Sequence, residues 1–360
     1  MILMNTIDPR KWRVFRPFCQ ENEGEVMYQA AIIGLGNIGL QFDIPRKAMP
    51  QSHALAYMLN PDIELAAGVG VRQEQGDKLA QIAPNAKFYT ALPAMLQNHK
   101  LDIVSICTPS HVRSEVLKAV LENSEAKVIF LEKPVAVSLR EAEQIAAMLD
   151  RHRNRTVLVN LSRRWSEGAA QIREAVRSGR YGKLKKVHLR YTRGIYNYGS
   201  HLFDLVRFTA GAMEQVRVLE QVPTNLDDRE DWTYSFTFRM QGGATGYAEA
   251  FDDRDFLIFE MDLYLEHGKI EMLNTGDEIR FYTTERHAML NGFRNLVMEK
   301  AETGLLSKSS NIQNAAAHIV EVLRDGAAPI SSIEDGIYPM VVAEALLKSR
   351  RNGGAEVNVR

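Results

Sequence analysis

A glycine-rich turn directly after an apolar run restricts the fold of this chain more than any other feature. The segment reads AAIIGLGNIG, with Gly34, Gly36 and Gly39 in the spacing G-x-G-x-x-G. Glycines at this spacing, between a strand and a helix N-terminus, let backbone N–H groups approach a pyrophosphate. The position near the start of the regular part of the chain favours a dinucleotide site over a tight turn without a ligand. The predicted contacts in this turn are Gly34, Gly36, Asn37, Ile38 and Gly39.

Short apolar runs alternate with helical patterns after this turn. Strands are predicted over 30–33, 63–69, 102–107, 128–131 and 156–160. Helical spacing is found over 74–81, 113–122 and 139–150. Pro45 and Pro50 interrupt the first helix and predict an inserted loop before a helix over 53–59. This alternation is typical of a doubly wound parallel sheet, which we assign to residues 27–161.

The pattern changes after residue 161, where long, partly alternating β runs dominate. These runs cover 183–193, 232–240, 244–251, 256–266, 269–273 and 278–283. They predict a mostly antiparallel sheet in a second domain, residues 162–360. A final helix is predicted over 334–350, opened by a capping box from Ser331 to Glu334 and stopped at Gly353 and Gly354. Residues 1–26 show no period and are interpreted as an extension or an upstream start, with Met27 beginning the folded unit.

Composition excludes several classes of function. With a net charge of -1, the chain lacks the excess of basic residues that nucleic-acid binding requires. Only Cys19 and Cys107 are present, which excludes a disulfide framework and a cysteine metal cluster and fits a reducing compartment. No apolar run approaches the roughly 20 residues needed to cross a bilayer. The nine histidines show no pairing with carboxylates at metal-ligand spacing. We therefore expect a cytoplasmic protein without a metal site and without nucleic-acid or membrane partners.

The end of the second predicted strand bears on the choice of cofactor. In dinucleotide-binding folds an acidic residue at this point hydrogen-bonds the adenosine ribose. This chain has Gly70-Val71-Arg72 instead. A missing acid and a nearby guanidinium favour the 2′-phosphate of NADP. Arg72 could equally be a solvated surface residue, so the sequence predicts NAD or NADP with a preference for NADP.

Three stretches together resemble a known family. GLGNIG, the LEKP of residues 131–134 and the GSHLFD of residues 199–204 are similar to the Gfo/Idh/MocA oxidoreductases, and the likeness runs from about residue 28 to the end. The resemblance implies a Rossmann domain followed by an α/β domain with a large open sheet. It also implies NAD(P)-dependent hydride transfer on a sugar, a cyclitol or a related polyol, and a homodimer or homotetramer commonly packed through that sheet. Thr108, Pro109, Glu132 and Lys133 are the further cofactor contacts that it suggests.

Oxidation of a secondary alcohol needs a base for the hydroxyl proton and a donor that holds the developing oxyanion. Lys133 and His201 are the candidate catalytic residues. Lys133 follows a parallel strand at the edge where doubly wound sheets bind ligands, and it matches the lysine of the family's EKP motif. His201 opens a helical run and matches the family's histidine; an imidazole exchanges a proton near neutral pH. Asp204 lies three residues after His201 on the same helical face. It could orient the imidazole, or it could simply cap the helix and form an ion pair.

One position departs from the family pattern. Many members carry an aspartate four residues before this histidine, whereas this chain has Asn197, an amide that cannot take a proton. A relay assisted by a carboxylate is therefore in doubt, and Lys133 and His201 must carry proton transfer. The family's histidine after Thr108-Pro109 is replaced by Arg113, which is left out of the predicted site. The predicted substrate contacts are Asn160, Arg163, Tyr191, Tyr196, Asn197 and Asp204, each of which could instead be scaffold.

Three functions remain open at this point. The leading one is an NAD(P)-dependent dehydrogenase or reductase acting on a CH–OH group of a sugar, a cyclitol or a sugar derivative such as a nucleotide sugar. The second is a reductase of a non-sugar substrate, because the fold does not fix the substrate. The third is a non-catalytic NAD(P)-binding sensor. Lys133 and His201 argue against a sensor, while Asn197 is compatible with one.

Overall fold

The structure is a computed structural model that describes residues 27–225 and 231–360. The predicted N-terminal extension, including Cys19, lies outside the described residues. Two sheets organise the chain, one of six strands and one of nine. Within the described ranges, no helix is both long enough and apolar enough to cross a membrane.

The first sheet is parallel throughout and has helices on both faces. Its strands are β1 (Tyr28–Ile33), β2 (Ile63–Val69), β3 (Lys87–Tyr89), β4 (Ile103–Ile106), β5 (Val128–Leu131) and β6 (Thr156–Val159). Their spatial order is β3-β2-β1-β4-β5-β6, the doubly wound order predicted from the alternation of strands and helices. The helices in this part are α1 (His53–Met58), α2 (Gln73–Ile82), α3 (Leu92–Asn98), α4 (Ser110–Asn123) and α5 (Leu139–Leu149).

The second sheet is antiparallel except for one pair of strands. Its strands are β7 (Leu184–Tyr191), β8 (Met213–Val222), β9 (Thr233–Met240), β10 (Thr245–Ala250), β11 (Phe259–Leu265), β12 (Gly268–Leu273), β13 (Glu278–Arg286), β14 (Arg294–Glu302) and β15 (Val357–Asn358). The order is β14-β13-β12-β11-β7-β10-β9-β8-β15, and only β7 and β10 run parallel. The predicted fold class, a Rossmann sheet followed by a large, mostly antiparallel sheet, is confirmed.

The helices of the second half serve both sheets. They are α6 (Glu167–Arg177), α7 (Ser200–Ala210), α8 (Leu305–Lys308), α9 (Asn311–Asp325) and α10 (Ile333–Arg351). Helix α7 packs on the nine-stranded sheet through Leu202, Phe203 and Val206. Helix α9 instead joins the core on one face of the six-stranded sheet, where Ile312 and Ile319 meet the side chains of β1 and β5. The division at residue 161 therefore separates the two sheets but not every helix that covers them.

Burial on both faces explains the unbroken apolar runs of the first sheet. Along β1, Ala30 and Ile32 enter the core shared with α1 and α9, while Ala31 and Ile33 enter the core on the other face. A strand that is covered on both sides has no solvent face for polar residues, so its sequence does not alternate. The same rule explains why VIFL and TVLV were recognised as strands.

Four strands were missed by the sequence analysis, among them the two-residue strand β15. Strand β3 has only three residues. Strand β8 carries Glu214, Arg217 and Glu220 on its outer side, and β14 is exposed along nearly its whole length at the edge of the sheet. Pairing with β9 and β13 fixes these two segments as strands, although their own composition does not favour that state.

The predicted capping box of the last helix is wrong by one residue. Ser332 caps α10: its hydroxyl accepts from the amide of Asp335 at 3.3 Å, and its own amide donates to the Asp335 carboxylate at 2.9 Å. Ser331 is fully buried and donates its hydroxyl to the carbonyl of Val159 at 2.6 Å, which ties the helix to the end of β6. Both serines match the pattern, and the tertiary contact decides between them.

Candidate active site

Four strands of the first sheet end side by side and bring the predicted residues to one edge. The amide of Cys107 donates to the carbonyl of Ile33 at 2.8 Å, that of Glu132 to Ile106 at 3.0 Å and that of Asn160 to Leu131 at 2.7 Å. The residues that follow β1, β4, β5 and β6 therefore form one row. This is the carboxyl edge, where doubly wound sheets bind their ligands.

The glycine turn fits a dinucleotide phosphate. Gly34 has φ +100, and a Cβ there would lie 2.7 Å from the carbonyl carbon of Cys107, so the turn requires glycine. A Cβ on Gly36 would have no atom within 4 Å and would point into open space. The amides of residues 36–39, which include Asn37 and Ile38, donate to no acceptor in the described residues. Unpaired amides beside open space at a strand end form a ready anion site.

The helix expected after this turn is only one turn long. The amides of Leu40 and Gln41 both donate to the carbonyl of Gly36, and a short 3-10 turn, Gln41–Asp43, follows. The loop predicted from the two prolines then leads to α1. Asp43, fully buried, holds this loop by accepting from the amide and the hydroxyl of Ser52 at 2.7 and 2.6 Å.

We predict that Gly36→Val weakens NAD(P) binding about tenfold, which corresponds to about 1.4 kcal/mol. The added side chain would extend into the space beside the unpaired amides from a Cβ that has no protein atom within 4 Å. Isothermal titration with each dinucleotide measures the affinity. Gly39→Ala is the contrasting variant, because its Cβ would lie 2.2 Å from the carbonyl oxygen of Gly34 and should lower the melting temperature. Equal affinities for wild type and Gly36→Val would exclude this turn as the phosphate site.

The turn after β4 offers a second contact region. The Thr108 hydroxyl oxygen is buried and has no hydrogen-bond partner in the described part of the chain. Such a group needs an explanation, and a bound ligand supplies one. Arg113, which the sequence analysis left out, is buried and donates to the carbonyls of Thr108 and Pro134. Arg113 therefore joins the turns that carry Pro109 and Lys133.

A buried polar network supports the end of β5. The Glu132 carboxylate accepts from Nδ2 of Asn160 at 2.6 Å and lies 2.9 Å from Nε2 of His53. The other ring nitrogen of His53 lies 2.9 Å from the Ser105 hydroxyl, which is 2.6 Å from the Tyr57 hydroxyl. His53 is 0% exposed. These contacts fix the direction in which the chain leaves the strand at Lys133.

This network bears on the predicted roles of Glu132 and Asn160. Burial alone would raise the pKa of Glu132, but hydrogen bonds from His53 and Asn160 and the charge of Arg113 outweigh it and lower that pKa. Glu132 is thus a carboxylate that binds protein partners and supports the end of β5, and its predicted contact with the cofactor stays a prediction. The side-chain oxygen of Asn160 is buried without a partner in the described residues and can still accept from a ligand.

Lys133 lies half-buried at the strand end, beside the cis peptide to Pro134. Burial lowers the pKa of Lys133, the charges of Arg113 and Arg193 lower it further, and the carboxylates of Glu132 and Asp231 raise it. Arg193 and Asp231 belong to the second half of the chain. The charges that act on Lys133 therefore come from both halves of the chain.

His201 lies in the first turn of α7, where the charges of Lys133 and Arg163 act on it. Burial lowers the pKa of His201 well below its usual value, and the charges of Lys133 and Arg163 lower it further. The imidazole is therefore neutral at physiological pH and able to accept a proton. The charge of Lys133 thus acts on His201, and the joint role of these two residues at one site stays a prediction.

Asp231 is a site residue that the sequence analysis missed. Its carboxylate accepts from the amides of Tyr196 and Asn197 at 3.2 Å each, within a wide helical turn, Gly194–Gly199, that leads directly into α7. Burial raises the pKa of Asp231 to about 6, against the effect of these amides and of Lys133. No pattern in the sequence points to this residue, because its contacts depend on where β9 begins relative to the turn.

Three of the predicted substrate contacts, Arg163, Tyr196 and Asn197, lie near His201 or Asp231. Arg163 donates to the carbonyl of Thr275 at 2.6 Å, lies 4.7 Å over the ring of Phe259 and is near enough to His201 to lower its pKa. Tyr196 is 47% exposed, and the side chain of Asn197 lies on the same turn. Their side chains remain available to a ligand.

Two other predicted contacts have internal partners instead. The Tyr191 hydroxyl is in the core, where it donates to the carbonyl of Tyr234 at 2.9 Å. Asp204 is 1% exposed and accepts from Nε and Nη2 of Arg164 at 3.0 and 2.6 Å. Strand and helix direction turns these side chains into the core, so the structure gives their predicted contact with a substrate no support, and that contact stays an untested prediction.

Arg72, the residue that favoured NADP, follows β2 at the same carboxyl edge. Its side chain is exposed, and its backbone amide donates to the Gln75 side chain at 3.0 Å. It forms no ion pair within residues 27–225 and 231–360 that would occupy the guanidinium. The position is compatible with either dinucleotide.

Comparisons with known proteins give a family and a fold. Residues 28–161 match a family described as "Oxidoreductase family, NAD-binding Rossmann fold". A D-glucoside 3-dehydrogenase from Escherichia coli (strain K12) is 28% identical over 156 residues, 43% of this chain and 41% of that protein. An inositol 2-dehydrogenase from Salmonella agona (strain SL483) is 26% identical over 113 residues, 31% of this chain and 33% of that protein. The matches thus span less than half the length of these relatives.

Structural similarity extends over nearly the whole chain. An oxidoreductase from Agrobacterium radiobacter, solved in complex with NAD+, L-tartaric acid and magnesium, matches with a TM-score of 0.74 at 17% identity. The match covers 93% of this chain and 99% of that chain. At this level of identity the similarity establishes the two-sheet fold.

Proposed function

This chain belongs to the Gfo/Idh/MocA family of NAD-binding Rossmann oxidoreductases, and on that premise we propose that it transfers a hydride between a nicotinamide dinucleotide and a secondary alcohol or ketone of a sugar, a cyclitol or a sugar derivative. The observation that supports the proposal is that Lys133, at the carboxyl edge of the first sheet, is near enough to His201 for its charge to lower the pKa of His201. Both residues are half-buried, and each has a pKa altered by burial and by its neighbours.

The glycine turn and the end of β4 would hold the dinucleotide. The unpaired amides of residues 36–39 suit the pyrophosphate, and the unpartnered Thr108 hydroxyl suits a polar group nearby. When bound, the nicotinamide would accept or supply the hydride. Lys133 follows in the same row of strand ends, so a substrate beside the nicotinamide would also lie beside Lys133 and His201.

The two side chains have complementary roles in the oxidation of an alcohol. The neutral imidazole of His201 accepts the hydroxyl proton as the C–H bond breaks and the carbonyl forms. The ammonium group of Lys133 donates a hydrogen bond to the same oxygen and stabilises the negative charge that develops on it. In the reverse direction the protonated His201 returns the proton. Burial strengthens both interactions because little water competes for these groups.

Two features support a polyhydroxylated substrate. The predicted substrate contacts Asn160, Tyr196 and Asn197 are amides and a phenol, which exchange hydrogen bonds with hydroxyl groups, and the side-chain oxygen of Asn160 has no partner in the described residues. In addition, the curated relatives include a D-glucoside 3-dehydrogenase and an inositol 2-dehydrogenase. A panel of glucosides, inositols and nucleotide sugars with NAD+ or NADP+ tests the proposal, and we expect reduced nicotinamide with at least one of them. The homo-oligomer stays a prediction.

Arg72 provides a test of the cofactor preference. If NADP is the cofactor, Arg72→Gln is expected to weaken NADP binding about tenfold and to leave NAD binding unchanged, because only the 2′-phosphate needs the guanidinium. Titration calorimetry of wild type and variant with both dinucleotides measures this. Arg153→Gln, an exposed arginine paired with Asp150, is the matched control. Tighter binding of NAD by wild type, with no effect of the substitution, would reject NADP as the preferred cofactor.

A further inference from the structure

His53 joins the glycine turn to the end of β5. Its backbone amide donates to the carbonyl of Ile38 at 3.0 Å, and the next amide, that of Ala54, donates to the carbonyl of Gly39 at 3.1 Å. Its ring, 0% exposed, lies 2.9 Å from the Glu132 carboxylate. One residue thus contacts both the turn that would hold the dinucleotide and the strand end that leads to the catalytic lysine.

The inserted loop fixes the place of His53. The Ser52 hydroxyl accepts from the amide of Leu55 at 3.3 Å and so caps α1, and the same hydroxyl donates to the Asp43 carboxylate at 2.6 Å. Asp43 and Ser52 are both fully buried. The imidazole packs against the ring of Phe130, with 4.8 Å between the ring centroids. Backbone, cap and ring packing together hold the imidazole in one position.

The partners of the imidazole determine which ring nitrogen carries the proton. The Tyr57 hydroxyl is buried, and its one partner in the described residues is the Ser105 hydroxyl at 2.6 Å. Burial raises the pKa of Tyr57, so the phenol keeps its proton and donates it to Ser105. Ser105 has a single proton and donates it to Nδ1 of His53 at 2.9 Å. Nδ1 is therefore an acceptor, and the ring proton lies on Nε2, beside Glu132.

The other protonation states leave a buried donor without an acceptor. If Nδ1 carried a proton, Ser105 would accept from it and would have to donate to Tyr57, whose own proton would then have no acceptor in the part of the chain that the structure describes. At the far end, Asn160 and His53 both contact Oε1 of Glu132, at 2.6 and 2.9 Å. An oxygen that accepts from two donors is that of a carboxylate, so every donor is satisfied in one direction only.

We propose that His53, as the neutral tautomer with its proton on Nε2, is a positioning residue that holds Glu132, and with it the adjacent Lys133, in a fixed place relative to the glycine turn. Without this contact the end of β5 could rotate and move the Lys133 ammonium group away from the substrate oxygen. The role of His53 in turnover rests on the function proposed above, whereas the tautomer does not depend on it.

The tautomer can be measured without substrate or cofactor. Long-range nitrogen–proton correlation spectra of protein labelled with nitrogen-15 separate protonated from unprotonated ring nitrogens, and the signals absent from His53→Gln identify His53. We expect a proton on Nε2 alone at neutral pH. A proton on Nδ1 would overturn the proposal, because Ser105 would then accept from the ring instead of donating to it.

Two substitutions separate the hydrogen bonds of His53 from the space that it fills. Glutamine can donate to Glu132 and accept from Ser105, whereas leucine can do neither. We expect His53→Leu to lower kcat about tenfold with the sugar that the panel identifies, because Lys133 is displaced, and His53→Gln to keep most of the wild-type rate. Dinucleotide affinity should stay unchanged in both, since the backbone contacts to the glycine turn remain. Equal kcat for His53→Leu and wild type would reject the positioning role.

Ser349→Ala controls for a general loss of stability. The Ser349 hydroxyl is buried at the end of α10 and donates to the carbonyl of Ala355 at 2.6 Å. Its removal should lower the melting temperature without lowering kcat; a loss of turnover as large as that of His53→Leu would mean that stability alone explains the effect. If Nε2 carries the proton but no sugar is oxidised, the function proposed above and the role of His53 in turnover fail together, while the tautomer stands.

Discussion

Replacing His201 with asparagine is expected to lower kcat about 10²- to 10⁴-fold, the usual contribution of a positioned acid–base group. Asparagine keeps the polarity of the side chain but cannot accept the hydroxyl proton. Lys133→Met should lower kcat about 10²- to 10³-fold, because it removes the donor to the developing oxyanion. Both rates are measured by the formation of reduced nicotinamide with the sugar that the panel identifies.

Dinucleotide affinity separates a chemical effect from a binding effect. His201→Asn should bind the cofactor as wild type does, because His201 belongs to the second half of the chain and not to the row of strand ends. His152→Asn, at the end of α5, is a matched control that should retain full turnover. Turnover by both His201→Asn and Lys133→Met at the wild-type rate would refute the assignment of the catalytic residues.

Arg164→Met is expected to destabilise the protein by about 3–5 kcal/mol, the cost of leaving a buried charge without its partner. The Arg164 guanidinium pairs with Asp204 of α7 at 2.6 Å and with Asp335 of α10 at 2.8 Å, and it donates to the carbonyl of Ile330 at 2.7 Å. Its loss would leave Asp204, 1% exposed, without its hydrogen-bonded cation and with only the more distant charge of Arg207 to offset its own. The midpoint of urea unfolding, followed by circular dichroism, measures the effect.

Two further variants distinguish charge from packing. Arg153→Met removes an exposed pair with Asp150, and it should leave the midpoint unchanged because surface ion pairs contribute little. Arg164→Met combined with Asp204→Leu removes both buried charges and should recover part of the loss. If Arg164→Met unfolds at the same urea concentration as wild type, the ion pairs of Arg164 with Asp204 and Asp335 do not hold α7 against α10.

The carboxyl edge of the first sheet could be predicted from sequence because it depends on local signals. Apolar runs covered on both faces identify the strands, and the residue after each run lies at the edge. The positions of Gly34, Thr108, Lys133 and Asn160 follow from that rule alone. The fold class was predictable for the same reason, since the alternation of strands and helices repeats over the whole first half.

The supporting contacts could not be predicted, because they join segments that are distant in sequence. His53 is held under Glu132 by an inserted loop, and Asp231 reaches the turn before α7 only because β9 starts there. The pattern of residues around either position gives no sign of these contacts. Conversely, Tyr191 and Asp204 have the chemistry of substrate ligands, and only the direction of their side chains shows that they belong to the core.

The most direct test of the account is transfer of deuterium from substrate to cofactor. The protein is mixed with NAD+ or NADP+ and with glucosides and inositols that carry deuterium on their ring CH–OH carbons, and mass spectrometry measures deuterium in the reduced cofactor. We predict one deuterium per reduced nicotinamide with at least one substrate, and its loss in His201→Asn. Dinucleotide binding without deuterium transfer from any member of the panel would contradict the account and indicate a protein that senses the cofactor without using it.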